Sequence, residues 1–155
     1  MATLIDWLGS WPGAVLLQRS GTAYLFVNAA HILGIGLLLG AILPLDLRLM
    51  GVLRASKLPL IGPVLIRTAA SGLALALATG LWLFTVKPSE YLGNPAFLIK
   101  LGLIALALGN IALQHHGLKP ALAGGAIGLR VRLLAVLSAS LWLCVLVAGR
   151  WIGFV

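Results

Sequence analysis

Charged residues are scarce in this sequence, and acidic residues are almost absent. Only 9% of the 155 residues are charged and 61% are hydrophobic, whereas soluble domains average about 25% charged and about 45–50% apolar residues. So little charge cannot cover a surface that faces water. The composition therefore excludes an ordinary soluble domain and indicates a protein whose solvent is the lipid bilayer.

The excess of positive charge does not indicate a nucleic-acid partner. The sequence has 11 Lys and Arg against 3 Asp and Glu, but no basic run is interleaved with aromatic residues as in single-strand binders. Basic residues at the ends of membrane helices contact anionic headgroups and set topology. We expect the bilayer as a partner and no nucleic acid.

Several kinds of chemistry are also missing. The single cysteine, Cys144, excludes an intramolecular disulfide. The sequence contains no paired carboxylates, no phosphate-binding loop and no set of nucleophile, base and orienting residue. Whether the chain is an enzyme stays open at this point, and an electron carrier or accessory subunit is favoured.

Four apolar segments are long enough to cross a bilayer, since a span needs about 20 residues at 1.5 Å each. They cover about residues 22–45, 64–86, 95–114 and 129–151. The sequence therefore predicts an all-α integral membrane four-helix bundle that forms one membrane domain over residues 1–155.

The segments around the spans carry further predictions. Residues about 2–18 hold Trp7 and Trp11 on one helical face, which predicts an N-terminal interfacial amphipathic helix lying on the membrane. Gly36 and Gly40 form a small-xxx-small pair that favours close helix packing. Gly117 and Pro120 are expected to end the third span, which the Asn94-Pro95 pair is expected to start.

Topology follows from the distribution of Lys and Arg. One side of the predicted bundle holds seven basic residues: Arg48, Arg54, Lys57, Arg67, Lys119, Arg130 and Arg132. The other side holds four: Arg19, Lys87, Lys100 and Arg150. We expect the first side to be cytoplasmic, so both termini face outward.

Two stretches resemble the signatures of a known family. They are HILGIGLLLGAILPLDLRLMG, residues 31–51, and YLGNPAFLIKLGLIALALGNIALQHH, residues 91–116. They resemble DUF6644, an uncharacterised family of small bacterial four-helix membrane proteins. The resemblance implies signature positions at His31, Asp46, Arg48, Asn94, Pro95, Lys100, Asn110 and His115. It also implies the bacterial inner membrane, where the charge distribution would make the termini periplasmic, but it implies no activity. More remotely, the arrangement is similar to small membrane cytochromes b and to copper-resistance membrane proteins.

His31 is the most informative single residue. An ionisable group inside an uncharged span is a functional candidate, and Tyr24, Asn28 and His31 share one helical face. One interpretation makes His31 a ligand of haem b or of a metal, with a carbonyl or amide fixing the other ring nitrogen. The other makes it a neutral histidine that is hydrogen-bonded between helices.

A second haem ligand is harder to place. His115 ends the third span, where it is either a ligand or an interfacial histidine near a helix C-terminus. Counting 1.5 Å per residue from the outer side, His31 lies about 15 Å deep and His115 about 30 Å deep. That mismatch disfavours a single haem held by both in one chain. A copper site with Cys144 is a further alternative, because thiolate and imidazole suit copper.

The remaining polar residues are predicted to be mainly structural. Asp46 and Arg48 are expected to fix helix register, with Asp46 paired to Arg67 or Arg130. Lys100 is expected to reach outward to Glu90 or to headgroups. Lys100, Asn110 and Gln114 share a face that would alternatively orient a quinone headgroup or support a proton path.

Three functions remain open from the sequence. The first is a membrane redox subunit that binds haem b or contacts quinone, as an electron carrier or an anchor. The second is a cofactor-free accessory subunit, and the third is a small metal or solute transporter acting as an oligomer. A homo-oligomer or a larger membrane complex is the expected assembly.

Overall fold

The protein is almost entirely helical. The computed structural model describes residues 2–53, 58–123 and 125–154, apart from the side chains of Ala2, Thr3, His115, His116 and Lys119. Its helices are α1 (Ala2–Ser10), α2 (Pro12–Arg19), α3 (Gly21–Met50), α4 (Leu58–Phe84), α5 (Pro88–Gly93), α6 (Pro95–Leu122) and α7 (Leu129–Trp151). Helix accounts for 88% of the structure, and no strand occurs in the described residues.

Four of these helices are long and apolar enough to cross a membrane: α3, α4, the Pro95–Gln114 part of α6, and α7. This confirms the predicted all-α four-helix membrane bundle. Large apolar side chains such as Phe26, Leu106 and Val147 are exposed on the outside of the bundle. An apolar surface of that kind fits contact with lipid rather than with water.

The bundle consists of two helical hairpins that meet mainly along the interface between α3 and α7, which we call the seam. α3 packs most extensively against α4, and α6 against α7, while α3 and α7 join the two pairs. The fourth side of the ring, between α4 and α6, is packed over a shorter stretch. The buried core lies along the seam and includes Leu38, Leu45, Leu49, Ala135 and Trp142.

Glycines bring α3 and α4 close together, but they are not the predicted pair. A Cβ at Gly34 would lie 2.7 Å from the backbone nitrogen of Ala76, and one at Gly72 would lie 2.5 Å from that of Leu38. Nothing lies within 4 Å of a Cβ at Gly36 or Gly40. The prediction for Gly36 and Gly40 is therefore wrong, because those two glycines face away from α4.

The segment expected as one interfacial helix forms two helices that break at Trp11. α2 packs against α3 and α4, and its Ala14 and Leu17 are buried. The Trp82 indole N–H donates to the Gly13 carbonyl at 3.0 Å, and the Gln18 amide donates to the carbonyls of Gly9 and Val86. The N-terminal segment is thus tied to the bundle end where α3 begins, which we call the Gly21 end.

Two spanning helices extend further than their prolines suggest. α4 begins at Leu58, ahead of the expected start near residue 64, and α6 continues through Gly117 and Pro120 to Leu122. The reason is packing between the extended turns. A Cβ at Gly62 would overlap the Leu122 side chain, and one at Gly117 would lie 2.9 Å from Val131. These contacts lie at the opposite end of the bundle, which we call the Met50 end.

Asn94 and Pro95 start α6 as predicted. The Asn94 side-chain oxygen accepts hydrogen bonds from the backbone N–H groups of Ala96 at 2.9 Å and Phe97 at 3.2 Å. These are two of the N–H groups that a helix start leaves without a backbone partner. The Asn94 amide also donates to the Ile152 carbonyl, so the start of α6 is fixed to the end of α7.

Candidate functional site

His31 projects from α3 onto α4. Its Nδ1 atom lies 2.9 Å from the carbonyl oxygen of Ala76 and 3.1 Å from the hydroxyl oxygen of Thr79. Both distances are within hydrogen-bond range. The ring therefore crosses the α3–α4 interface and is held by two groups of the neighbouring helix.

These contacts determine which ring nitrogen carries the proton. The Ala76 carbonyl can only accept, and the Thr79 hydroxyl already donates to the Leu75 carbonyl at 2.6 Å. Nδ1 must therefore be the donor, and in the neutral ring Nε2 is left with a free lone pair. Nε2 has no hydrogen-bond partner within the described part of the chain. His31 thus presents one basic atom in a fixed orientation.

Glycine provides the room for this ring. A Cβ at Gly80 would lie 2.9 Å from the His31 Cε1 atom, so any larger residue would push the ring off its acceptors. About two turns earlier along α4, the close approach of Gly72 to α3 keeps the Ala76 carbonyl within reach. The ring is only half-buried, so part of it is accessible from outside the packed core.

A lysine approaches the same region from α6. Lys100 is close enough to His31 to interact with it electrostatically, and its Nζ would lie 3.3 Å from a Cβ at Gly149 on α7. Glu90, which was predicted to attract Lys100, pairs with Lys87 at 3.0 Å instead. The Glu90 part of the prediction for Lys100 is therefore wrong, and its contact with headgroups stays a prediction. We call His31, Thr79 and Lys100 the His31 site.

The other members of the predicted polar stripe do not join this site. Tyr24 is exposed and lies near Tyr91, and Asn28 is half-buried without a side-chain hydrogen bond to any described residue. Burial raises the pKa of Tyr91, nearby Tyr24 and Glu90 add to the rise, and Lys87 opposes it. Tyr91 also packs with Phe84 and Phe97, whereas Tyr24 influences Tyr91 only electrostatically.

The predicted alternative ligands are not brought to His31. The side chain of His115 lies outside the described residues. Cys144 is exposed on the outside of the bundle, so it cannot share a metal with His31 in the same chain. Among the described residues, no group of three or more His, Cys, Asp or Glu is placed to hold a metal ion.

A second polar region lies toward the Met50 end, between α3, α6 and α7. It consists of Asp46, Asn110, Gln114, Ser138 and Trp142, which we call the Asp46 chamber. All five residues are buried, and Asp46 and Ser138 have 0% exposure. Ser138 and Gln114 are the side chains that interact with the Asp46 carboxyl group. Neither contact has the full geometry of a hydrogen bond.

The expected ion pair of Asp46 is absent. Among the described side chains the only salt bridge is Lys87–Glu90, so Asp46 pairs with neither Arg67 nor Arg130. Both arginines are exposed, because the Asp46 side chain faces the interior while the arginines face outward. Arg48, two positions after Asp46, is half-buried in the last turn of α3.

Sequence reasoning missed part of each region. Ser138 and Trp142 were not expected at a polar site, although they lie one turn apart on one face of α7, a spacing that is visible in the sequence. The roles of the Ala76 carbonyl and of Gly80 have no sequence signal, because they depend on how α4 is rotated against α3.

The chain matches no protein-family model, no curated protein and no solved structure. The resemblance to the DUF6644 family and the remoter one to small cytochromes b stay predictions. The candidate site therefore has to be interpreted from its own chemistry.

Proposed function

We propose that the protein is a membrane redox subunit that binds the headgroup of a quinone at the His31 site. The observation that carries the proposal is the fixed tautomer of His31. Its Nδ1–H is committed to α4, which leaves Nε2 as a free acceptor within electrostatic range of the Lys100 amine.

The two groups match the two forms of a quinone headgroup. A quinol hydroxyl donates a hydrogen bond, and the Nε2 lone pair accepts one. A quinone carbonyl oxygen accepts a hydrogen bond, and the Lys100 amine donates one. A small number of placed polar groups in an apolar surrounding is the usual composition of a small-molecule site.

The packing of the bundle supports access from the bilayer. A quinone is dissolved in the membrane and must enter between helices. The α4–α6 side is the least extensively packed side of the ring, and the His31 site lies between residues of α3, α4 and α6. The half-buried state of His31 fits a headgroup that enters from this side while its apolar tail stays in lipid.

Haem b is the second candidate, and the free Nε2 atom of His31 favours it as well. Metal-ligating histidines usually donate their other ring N–H to a carbonyl or carboxylate, as His31 does to Ala76. His31 Nε2 would hold the iron of such a haem, and the haem would supply one-electron transfer. The described residues include no further histidine side chain, so a second ligand would come from Lys100 or from a partner chain, since the difference in depth disfavours His115 of the same chain.

Location and assembly belong to the same proposal. The family resemblance supports the bacterial inner membrane, and the charge distribution supports a cytoplasmic Met50 end. Among the described residues no catalytic constellation accompanies the His31 site, so the electrons would come from an oxidoreductase partner in a larger membrane complex.

The proposal is tested by titrating the protein in lipid nanodiscs with a short-tailed ubiquinone and following tryptophan fluorescence. We expect His31→Phe and Lys100→Met each to weaken binding about tenfold or more, which is the effect of losing one hydrogen bond to a charged or buried group. Lys87→Met is the matched control, because Lys87 is an exposed lysine that pairs with Glu90. Equal affinities in all four proteins, or no saturable binding, would contradict the proposal.

An absorption spectrum separates the two candidates. The protein is expressed with haem supplied, purified in detergent, and measured oxidised and after dithionite reduction. A Soret band that is lost in His31→Ala would assign a haem to His31. A colourless protein that binds quinone supports the first candidate, and a colourless protein that binds no quinone favours the cofactor-free accessory function.

A further inference from the structure

The Asp46 chamber contains a set of buried polar atoms that the His31 site does not use. Six such atoms have no hydrogen-bond partner: both Asp46 carboxyl oxygens, Asn110 Oδ1, Gln114 Nε2, Ser138 Oγ and Trp142 Nε1. Each of the five residues is at most 5% exposed. Buried polar groups are nearly always hydrogen-bonded to protein or to ordered water, so one region with six unpartnered atoms requires an explanation.

One hydrogen bond fixes the orientation of the Asn110 side chain in the Asp46 chamber. The Asn110 amide nitrogen donates to the Leu134 carbonyl of α7 at 3.1 Å. Its oxygen is therefore the atom left for the chamber, as an acceptor. The chamber thus combines three acceptors, on Asp46 and Asn110, with two N–H donors, on Gln114 and Trp142, and with the Ser138 hydroxyl, which can act as either.

This mixture of donors and acceptors favours water over a metal cation. A cation such as Na⁺ is held by oxygen atoms and would be repelled by the N–H groups of Gln114 and Trp142. A water molecule accepts from such donors and donates to the Asp46 and Asn110 oxygens, and a buried water typically has two to four polar partners.

Among the described side chains, no charged group forms a salt bridge with Asp46. The side chains that interact with it are Ser138 from α7 and Gln114 from α6, and both are neutral. Asn110 and Trp142, also neutral, lie one helical turn from Gln114 and Ser138 on the same helices. The arginines on the helices packed around it, Arg67 on α4 with Arg130 and Arg132 on α7, form no salt bridge with it in the described structure. Arg48 follows it on α3, and the side chains of His115, His116 and Lys119 on α6 lie outside the described residues. An ionised carboxylate without a counter-charge is costly in such an interior.

We propose that the Asp46 chamber is an internal hydrated site in which Asp46 binds and releases a proton. Water in the chamber bridges the donors of Gln114 and Trp142 to the carboxyl group of Asp46. In the released state the proton has passed through this water to the bulk solution, and the carboxylate accepts hydrogen bonds from Ser138, Gln114 and water. The proposal is independent of quinone binding at the His31 site, since the two regions share no residue.

Infrared spectroscopy tests the proton. The carbonyl stretch of a protonated carboxyl group is recorded in nanodiscs over a pH series, in H₂O and in D₂O, for wild type and Asp46→Asn. We expect a band in wild type that disappears reversibly as the pH rises, shifts in D₂O and is missing from Asp46→Asn. A carboxyl group that stays ionised at every pH would overturn the proposal. A band that added Na⁺ removes at constant pH would also overturn it, since it would identify a metal-cation site.

Nuclear magnetic resonance of the indole N–H groups tests the water, and it does not depend on a variant at Asp46. Trp142→Phe assigns the resonance of Trp142, and Trp82 is the matched internal control because its indole N–H donates directly to Gly13. We expect a cross-peak between water and the Trp142 N–H, with faster hydrogen exchange than at Trp82. A Trp142 N–H as protected as that of Trp82 and without a water cross-peak would show a dry interior and overturn the proposal.

Discussion

The two polar regions of the bundle differ in how a polar side chain within the membrane-spanning helices is hydrogen-bonded. At the His31 site the polar group is held by partners on the neighbouring helix, and a single reactive nitrogen is left. In the Asp46 chamber the polar group is more deeply buried, yet both of its oxygens lack a partner. The comparison teaches that burial alone does not identify the role of a membrane-embedded polar residue. Its hydrogen-bond partners distinguish a side chain that is held in one orientation from one whose polar atoms are left without partners.

The largest loss of stability is expected from a substitution that disrupts the His31 site and leaves the Asp46 chamber intact. In Gly72→Ala the new Cβ would lie 2.5 Å from the Leu38 backbone nitrogen, so α4 must move away from α3. We expect a loss of about 3 kcal/mol in stability, measured by unfolding in mixed micelles. Gly36→Ala is the control, because nothing lies near its Cβ, and it should be neutral or slightly stabilising. Equal losses in both variants would show that Gly72 does not set the α3–α4 distance.

The next prediction compares the sign of the stability change that a substitution causes in each region. At alkaline pH, Asp46→Asn should stabilise the bundle by about 1–3 kcal/mol, because it replaces an unpartnered buried carboxylate with a neutral group of the same shape. His31→Phe should destabilise it by about 1–2 kcal/mol, because the Ala76 carbonyl and the Thr79 hydroxyl lose their donor. Both are measured by unfolding in the same micelles. If both changes destabilise, Asp46 has a partner that balances its charge.

These predictions show what the sequence could and could not establish. Span lengths and hydropathy predict the four helices, because lipid requires about 20 apolar residues per span. The choice of Gly36 and Gly40 failed because a small-xxx-small spacing does not say which face of α3 meets α4. The ion pair predicted for Asp46 failed for a similar reason, since charge pairing from sequence assumes a rotation of each helix that only packing determines.

The site was predictable only in part. His31 is conspicuous as an ionisable residue in an uncharged span, and a carbonyl on its other nitrogen was expected under one interpretation. The structure supplies the Ala76 carbonyl, which lies 45 residues away along the chain. Pairing at such a distance has no local signal in one sequence. The buried face of α7 that carries Ser138 and Trp142 could have been found from their i, i+4 spacing.

A smaller loss of stability is expected from removing the Thr79 hydroxyl, which accepts a hydrogen bond from His31 Nδ1. Thr79→Val removes one of the two acceptors of Nδ1–H and leaves the Ala76 carbonyl in place, so the loss should be about 0.5–1 kcal/mol. Thr68→Val on the same helix is the control, since Thr68 has no side-chain hydrogen bond to any described residue. Thermal unfolding in detergent measures both. A loss as large as that of His31→Phe would mean that Thr79 alone holds the ring.

The smallest effect lies outside the membrane-spanning segments. Because burial raises the pKa of Tyr91 above 10.0, the folded state favours the protonated phenol. The stability from Tyr91 is therefore present below pH 10 and is lost as the pH rises through the raised pKa. We expect Tyr91→Phe to flatten the stability curve above pH 10 by a few tenths of a kcal/mol. An unchanged alkaline slope would show that Tyr91 is hydrated in the folded protein.

The most direct test of the central claim is the ¹⁵N spectrum of histidine-labelled protein in lipid, with His31→Phe used to assign the His31 signals. Our account predicts that Nδ1 carries the proton and Nε2 does not, and that the Nε2 shift moves when a short-tailed quinol is added. A proton on Nε2, or an Nε2 shift that quinol leaves unchanged, would contradict the assignment of His31 as the headgroup-binding residue.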